Sequence, residues 1–153
     1  MIEAKNILVV SPQSWNSRKV SKHNYSIEFA KSSTVYYLDP PDYSLFGSNI
    51  KFNKIANNLT HISYKLPIPR FFKFKFERIY RFFLVRYLKK IKKRLGQIDY
   101  LWNFDNGTYF KEEWLFHESF KIFHPVDDFE ISEGFNYTSY DIGFSVSPEI
   151  LNK

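Results

Sequence analysis

Short apolar runs that end abruptly in polar residues recur along this sequence of 153 residues and constrain its fold more than any other feature. The first, Asn6–Ser11, is a largely β-branched run closed by a Ser-Pro step, which is typical of a central strand buried on both faces. Similar runs cover Thr34–Asp39, Tyr100–Asp105 and Phe120–His124. Because parallel strands bring their carboxyl ends to one edge of a sheet, the pattern predicts an open α/β sheet with a ligand cleft there.

Other elements are predicted between these runs. They are a helix from Asn24 to Ala30, a strand over Leu59–Leu66, a helix over Arg70–Leu95 capped by Gly96, a short helix over Phe110–Leu115 and a last strand over Ile142–Val146. The connector Asp42–Asn58 is assigned no element. Strands that alternate with helices imply βαβ units with right-handed crossovers. We therefore predict an α/β fold, a Rossmann-like three-layer domain with a mostly parallel sheet that spans residues 1–153.

The last residues read as the start of a helix. Ser147, Pro148 and Glu149 suit an N-cap, a first helical position and a first-turn acid, and the sequence ends soon afterwards at Lys153. A helix that starts so close to the end predicts that this chain is one half of a larger two-domain protein.

Composition excludes several classes of protein. The chain has no cysteine, which rules out disulfides, thiolate metal sites and thiol nucleophiles and fits a cytoplasmic location. No apolar run approaches the roughly 20 residues needed to span a bilayer, and the amino terminus lacks a signal-peptide core. The five scattered glycines form no dinucleotide or Walker loop, and the four histidines form no zinc-binding pair. We therefore predict neither a metal ion nor a resident cofactor.

The net charge of +6 is concentrated in the helix predicted over Arg70–Leu95. Between Arg70 and Arg94, eleven basic residues face one acid, so this segment carries +10 and the remainder −4. Aromatic and aliphatic residues spaced by three and four predict one core-facing side: Phe76, Tyr80, Phe83, Tyr87 and Ile91.

The same helix has more aromatic residues than one face can hold, and they lie among the cations. This combination predicts a helix that rests on anionic lipid. The predicted membrane contacts are Phe71, Phe72, Lys73, Lys75, Arg78, Lys89, Lys90 and Lys93. A solvated cationic face is the alternative, and nucleic acid ranks below lipid because no recognition motif accompanies the charge.

Polar residues at the predicted strand ends, and a loop before the first helix, supply candidate ligand contacts. Helix N-termini and nearby cations favour anions, so the loop is a candidate phosphate site, with a solvated loop as the alternative. The candidate substrate-binding residues are Ser11, Trp15, Arg18, Lys22, His23, Asp39 and Asp105. Alternative roles are loop capping for Asp105 and Asp128, packing for Trp15 and a buried, hydrogen-bonded imidazole for His124.

The order of these segments resembles the N-terminal, acceptor-side domain of GT-B glycosyltransferases, especially the family-4-like bacterial enzymes that build cell-surface polysaccharides. The residues that carry the resemblance are 7–11 with Trp15, 21–25, 28–31, 35–41, 100–105, 124–129 and 145–151. One departure from the family is that the first loop lacks the glycine pair common in many relatives.

The resemblance implies a two-lobed enzyme in which a second Rossmann-like domain, absent from this chain, binds the sugar nucleotide. It implies that His124 stands beside the donor sugar and that Asp127 and Asp128 line the same cleft, which makes these three the candidate catalytic residues. The acceptor would be a saccharide or a lipid-linked saccharide, and the enzyme would lie peripherally on the inner face of the cell membrane. The isolated lobe is expected to be inactive.

Two other functions stay open from sequence. The main alternative is a non-enzymatic basic α/β module that binds an anionic membrane or nucleic acid through residues 70–94. A lesser alternative is a stand-alone sugar-nucleotide or receiver-like domain, although the first strand ends without the acid that a receiver domain needs.

Overall fold

A mostly parallel eight-stranded sheet forms the centre of the structure, a computed structural model that describes residues 5–125 and 135–144. The strands are β1 Asn6–Val10, β2 Thr34–Leu38, β3 Asp42–Tyr43, β4 Ile50–Ala56, β5 Leu59–Leu66, β6 Tyr100–Asn103, β7 Phe120–Phe123 and β8 Ile142–Gly143. The helices are α1 Ser21–Phe29, α2 Phe72–Lys75 and α3 Glu77–Leu95, with 3-10 turns at Glu113–Phe116 and Tyr137–Ser139. The α/β class and the mostly parallel sheet are confirmed.

The strand order creates a crevice at a defined place. The parallel strands run in the order β5-β2-β1-β6-β7-β8, β4 pairs antiparallel with β5, and β3 lies beside the end of β5. In the centre, Leu8 is in register with Tyr36 of β2 and with Leu101 of β6. The chain extends the sheet from β1 towards β5 and then crosses to β6. A topological switch point, where ligands of open α/β sheets bind, therefore lies between β1 and β6.

Alternate residues of β1 point into two separate cores, which makes three layers. Leu8 and Val10 belong to the core under α3, together with Leu84 and Leu88. Ile7 and Val9 belong to the opposite core, which includes Val35, Tyr37 and Trp15. Because both faces of the strand are buried, its sequence is apolar throughout and was readable as a central strand.

The basic segment differs from its prediction as one continuous helix. It is divided at Phe76, whose φ of −135° and ψ of 54° lie outside the helical region. Phe76 is 48% exposed, so its predicted place in the core is wrong; the break turns it away from the buried side. Tyr80, Tyr87 and Ile91 are buried as predicted, and Gly96 ends α3 with a φ of 73°.

The connector before β5 contains two strands that the sequence did not predict. In β4 only Ile50 and Phe52 are partly buried, and the other residues are exposed. Such an edge strand lacks a continuous apolar run, so its pattern is weak. At the other end of the chain, the predicted helix start at Ser147 lies outside the described residues.

Candidate functional site

Asp39, at the carboxyl end of β2, holds the loop after β1 in place. Its Oδ1 accepts a hydrogen bond from the Trp15 amide at 2.8 Å, and its Oδ2 accepts one from Ser14 Oγ at 2.6 Å. The same Oδ2 lies 2.8 Å from His61 Nε2 of β5. Asp39 is only 6% exposed. This carboxylate, predicted to bind substrate, therefore links the loop after β1, the end of β2 and strand β5 through its contacts.

His23, in the first turn of α1, is fully buried beneath the same loop. Its Nδ1 accepts a hydrogen bond from the Val20 amide at 3.1 Å, and its Nε2 faces the Ser14 carbonyl at 3.3 Å. The ring stacks on Tyr37 at 5.3 Å and lies 5.1 Å from Trp15. Trp15 and His23 therefore pack against each other, and both ring nitrogens of His23 are occupied within the loop.

Ser11 lies beneath this loop, at the end of β1. Its Oγ is 2.7 Å from the Tyr37 hydroxyl and accepts a hydrogen bond from the Gln13 amide at 3.1 Å. Burial raises the pKa of Tyr37, so the phenol stays neutral. Of the two cations predicted to bind substrate, Arg18 is exposed and Lys22 is buried. Arg18 is therefore the one exposed side chain among the candidate substrate-binding residues.

His124 follows β7 and lies in a cluster of aromatic rings. Its Nδ1 accepts a hydrogen bond from Trp102 Nε1 at 3.2 Å, and its ring centroid is 4.9 Å from Phe104 and 5.2 Å from Tyr25. Burial lowers the pKa of the imidazole, which keeps it neutral at pH 7. Because Nδ1 accepts, the proton is on Nε2, where His124 can act as a hydrogen-bond donor. Asp127 and Asp128 lie outside the described residues.

Asp105 shapes the loop after β6. Its Oδ1 accepts hydrogen bonds from the amides of Gly107, Tyr109 and Phe110 at 2.9, 3.0 and 3.1 Å. Its Oδ2 is buried and has no hydrogen-bond partner within the described residues. Burial raises the pKa of this carboxyl. Loop capping, one of the two roles weighed for Asp105, is therefore the role seen here.

A cavity of about 510 Å³ lies between the start of α3 and the loop that Asp105 shapes. Its charged and aromatic polar lining comprises Lys73, Glu77, Tyr80, Arg81, Tyr109, Lys111 and Glu112. Arg81 Nη2 lies 2.9 Å from Glu112 Oε1, and this carboxylate is buried. Burial raises the Glu112 pKa against the lowering effect of Arg81. Sequence reasoning missed this cavity because Arg81 and Glu112 are 31 positions apart and no motif links them.

A second cavity, of about 400 Å³, lies beside the carboxyl ends of β2 and β5. Ser14, Asn16, Asp39 and Lys65 contribute to its lining. Both carboxylate oxygens of Asp39 already make the contacts described above, so a ligand in this cavity would compete with those contacts for the Asp39 carboxylate.

The outer surface of α2 and α3, here called the α2–α3 face, combines apolar and basic side chains. Its apolar members are 45 to 73% exposed: Phe71, Phe74, Phe76, Ile79 and Phe82. Its exposed cations are Lys75, Arg78, Arg86, Lys89, Lys90 and Lys93. Positions 78, 82, 86, 89 and 93 follow a helical spacing of three and four, which puts Phe82 within a basic stripe opposite the buried side.

Two predicted membrane contacts lie elsewhere. Phe72 is partly buried against the core, and the ammonium of Lys73 lies 4.0 Å from the Tyr109 ring centroid, towards the 510 Å³ cavity. The remaining predicted contacts, from Phe71 to Lys93, belong to the α2–α3 face. Within residues 5–125 and 135–144, no ion pair involves the cations Lys75, Arg78, Arg86, Lys89 and Lys93.

The described helices include none with the length and apolar character required to cross a bilayer. The described side chains also contain no cluster of three or more His, Asp or Glu residues arranged to hold a metal ion. Comparisons with protein-family models, curated proteins and solved structures found no match to this chain.

Proposed function

We propose that this chain is the acceptor-binding lobe of a glycosyltransferase that works at an anionic membrane surface. The enzyme would transfer a sugar from a nucleotide sugar to a cell-surface polysaccharide or a lipid-linked saccharide. The observation that carries the proposal is the position of Phe74, which is 73% exposed on the α2–α3 face and also lines the 510 Å³ cavity. An apolar, basic surface beside a polar cavity suits an acceptor whose lipid stays in the membrane.

The sheet supports the same proposal. A mostly parallel sheet with a switch point between β1 and β6 is compatible with a Rossmann-like lobe that presents ligands at the carboxyl edge. Glycosyl transfer needs a polarised leaving diphosphate and a positioned hydroxyl, which oriented donors and a few carboxylates can supply. In this proposal the neutral His124 donates through Nε2 near the donor sugar, and Asp127 and Asp128 are the other candidate catalytic residues. A further domain would bind the sugar nucleotide.

The α2–α3 face has the properties of a peripheral membrane contact. Each Lys or Arg near an anionic bilayer contributes roughly 1 kcal/mol to binding, and the exposed rings of Phe71, Phe74 and Phe82 can enter the interface. The proposed location is therefore the cytoplasmic surface of the cell membrane, where anionic lipid would hold the lobe beside its acceptor.

The coding sequence downstream of the Lys153 codon gives the first test of the enzyme. A second α/β domain with a donor site would support the proposal, and release of nucleoside diphosphate from a panel of sugar nucleotides, with membranes supplied as acceptor, would then identify the reaction. In that assay, His124→Gln should lower turnover well below that of His117→Gln, since the His117 side chain is 81% exposed. A stop codon directly after Lys153 would contradict the proposal.

Vesicle binding tests the membrane contact separately. A triple variant with Arg78→Gln, Lys89→Gln and Lys93→Gln should bind phosphatidylglycerol vesicles at least about tenfold more weakly than the unmodified chain. The control, which loses the same charge at exposed sites outside the face, replaces Lys31, Lys51 and Lys54 by Gln. Equal loss of binding in both triple variants would show that net charge, and not this face, attracts the vesicle.

The basic face also favours a second candidate function, a non-enzymatic module that binds an anionic membrane or nucleic acid. Oligonucleotide titrations over a salt series separate these partners, because phosphate neutralisation on nucleic acid gives a steep linear dependence on the logarithm of salt concentration. Binding to vesicles together with a stop codon after Lys153 would favour the membrane module. If the chain binds neither vesicles nor oligonucleotides, the proposed membrane contact and the second candidate function are both contradicted.

A further inference from the structure

The 510 Å³ cavity contains a cation placed against an aromatic ring. The Lys73 ammonium lies 4.0 Å from the Tyr109 ring centroid, and no carboxylate in the described residues approaches it within ion-pair distance. The ammonium is partly buried; the Tyr109 ring contacts it directly, and the Asp105 carboxyl attracts it only from beyond ion-pair distance. A partly desolvated cation without an ion pair at contact distance is suited to receive an anionic group from a ligand.

A second cation in the cavity is held at a fixed position. Arg81 Nη2 contacts Glu112 Oε1 at 2.9 Å, and Glu112 Oε2 accepts a hydrogen bond from the Lys111 amide at 2.8 Å. Glu112 is fully buried, so this carboxylate has a fixed geometry. Glu77 Oε1 lies 3.8 Å from Arg81 Nη1 on the other side. A guanidinium has five N–H donors, so these two carboxylates leave other donors for a ligand.

The wall also contains a polar atom without a well-formed hydrogen bond, the hydroxyl oxygen of Tyr80. Tyr80 is 5% exposed, and its hydroxyl interacts with that of Tyr43 but makes no hydrogen bond of normal geometry within the described part of the chain. Buried polar atoms in folded proteins nearly always have a partner, so an unsatisfied hydroxyl in a cavity wall indicates a place for a ligand or solvent group. Hydroxyls donate and accept, which suits them to contact the hydroxyls of a sugar.

We propose that this cavity binds a glycosyl phosphate. The phosphate would lie between Lys73 and Arg81, and the sugar would pack on the Tyr109 ring with a hydroxyl at the Tyr80 oxygen. The cavity volume of about 510 Å³ falls within the range of small-ligand sites. The inference deepens the proposed function by naming the chemistry of the acceptor head group, but glycosyl phosphate binding can be measured without any transfer reaction.

Titration calorimetry of the unmodified chain with glucose 1-phosphate tests the site. We expect a dissociation constant near or below about 1 mM, tighter than for inorganic phosphate or glucose alone. Lys73→Met should weaken binding of glucose 1-phosphate about tenfold or more, because it removes one charged hydrogen bond. Lys54→Met, which removes an equal charge from an exposed position of β4 outside the α2–α3 face, is the matched control and should change the affinity less than about twofold.

A second pair of variants separates the sugar contact from the phosphate contact. Tyr109→Leu should weaken binding of glucose 1-phosphate but not of inorganic phosphate, whereas Tyr109→Phe should preserve both. The inference would be overturned if binding did not saturate up to about 10 mM glucose 1-phosphate, or if Lys73→Met and Lys54→Met weakened binding equally.

A vesicle-binding experiment distinguishes a lipid-linked glycosyl phosphate from a free one. Phosphatidylcholine vesicles with a polyprenyl-phosphate sugar present the same head group without a general anionic surface. Binding to these vesicles, lost in Lys73→Met, would assign a lipid-linked ligand; binding of soluble glucose 1-phosphate alone would assign a free one. If glucose 1-phosphate binds while the coding sequence lacks a donor domain, the inference stands and the glycosyltransferase proposal fails.

Discussion

The Oδ2 atom of Asp39 lies 2.8 Å from Nε2 of His61, and both side chains are buried, at 7% and 2% exposure. The contact joins the end of β2 to β5 while the same carboxylate accepts hydrogen bonds from Ser14 and Trp15. Buried charged groups are tolerated when their remaining hydrogen-bonding capacity is satisfied. Asp39 therefore acts as the central support of the loop after β1.

Asp39→Ala should destabilise the protein by about 3 kcal/mol, because three groups lose their buried acceptor at once. The control is Asp42→Ala, which removes an exposed carboxylate 3.4 Å from Lys65 and should cost less than about 1 kcal/mol. Urea unfolding followed by circular dichroism measures both values. Similar costs for the two variants would show that the buried network contributes little.

Much of the sheet was readable from sequence because its central strands are buried on both faces. The apolar pattern of Asn6–Val10 follows directly from that burial, and Gly96 ended the basic helix as its position predicted. The edge strand Ile50–Ala56 was not readable, since it has only one partly buried side. The break at Phe76 was also missed, because a run of Phe and Lys has no helix-breaking residue to mark it.

Gly107 is needed for more than its backbone conformation. Its φ is +90°, and a Cβ built there would lie 2.7 Å from the Phe135 side chain, whereas Gly47, with a φ of +96°, has open space around it. Gly47→Ala should therefore cost about 1 kcal/mol from backbone strain alone. Gly107→Ala should cost about 2 to 4 kcal/mol, since overpacking is added to the strain. Thermal unfolding of both variants measures the difference; equal costs would mean that Phe135 moves aside freely.

His124 should contribute to the pH dependence of stability below neutral pH. Burial lowers its pKa from 6.5 in the native state, so on acidification the unfolded chain takes up a proton before the native protein does. Its contribution is complete above pH 6.5 and is lost as the pH falls from there through the native pKa. His124→Gln keeps an acceptor for Trp102 Nε1 and should flatten the urea-midpoint profile between about pH 7 and 5.

The exposed His117, whose side chain is 81% exposed, supplies the control for this profile. The His117→Gln profile should keep the slope of the unmodified protein. A His124→Gln profile that retains the full slope would show that other groups cause the acid sensitivity.

The candidate site was only partly predictable, for a reason that Asp105 illustrates. Sequence placed Ser11, Asp39 and Asp105 at the carboxyl edge, and the structure places them there. It could not distinguish carboxylates that face a ligand from those that fix a loop, because the choice depends on amides such as those of Tyr109 and Phe110. The Arg81 and Glu112 pair depends on tertiary packing and left no local pattern.

The carboxyl of Asp105 should make stability fall as the pH rises above about 4. Burial raises its pKa above 3.8 in the native state, so the unfolded chain releases this proton first on raising the pH. The contribution of Asp105 is complete below pH 3.8 and is lost as the pH rises through the native pKa. Asp105→Asn keeps one oxygen for the amides of Gly107, Tyr109 and Phe110 and replaces the unpartnered Oδ2 by a neutral group. In urea unfolding, the stability of Asp105→Asn relative to the unmodified protein should therefore increase between about pH 4 and 7. Asp105→Ala, which loses all three hydrogen bonds, should be less stable than the unmodified protein at every pH. A constant difference between Asp105→Asn and the unmodified protein would show that the buried carboxyl does not titrate in this range.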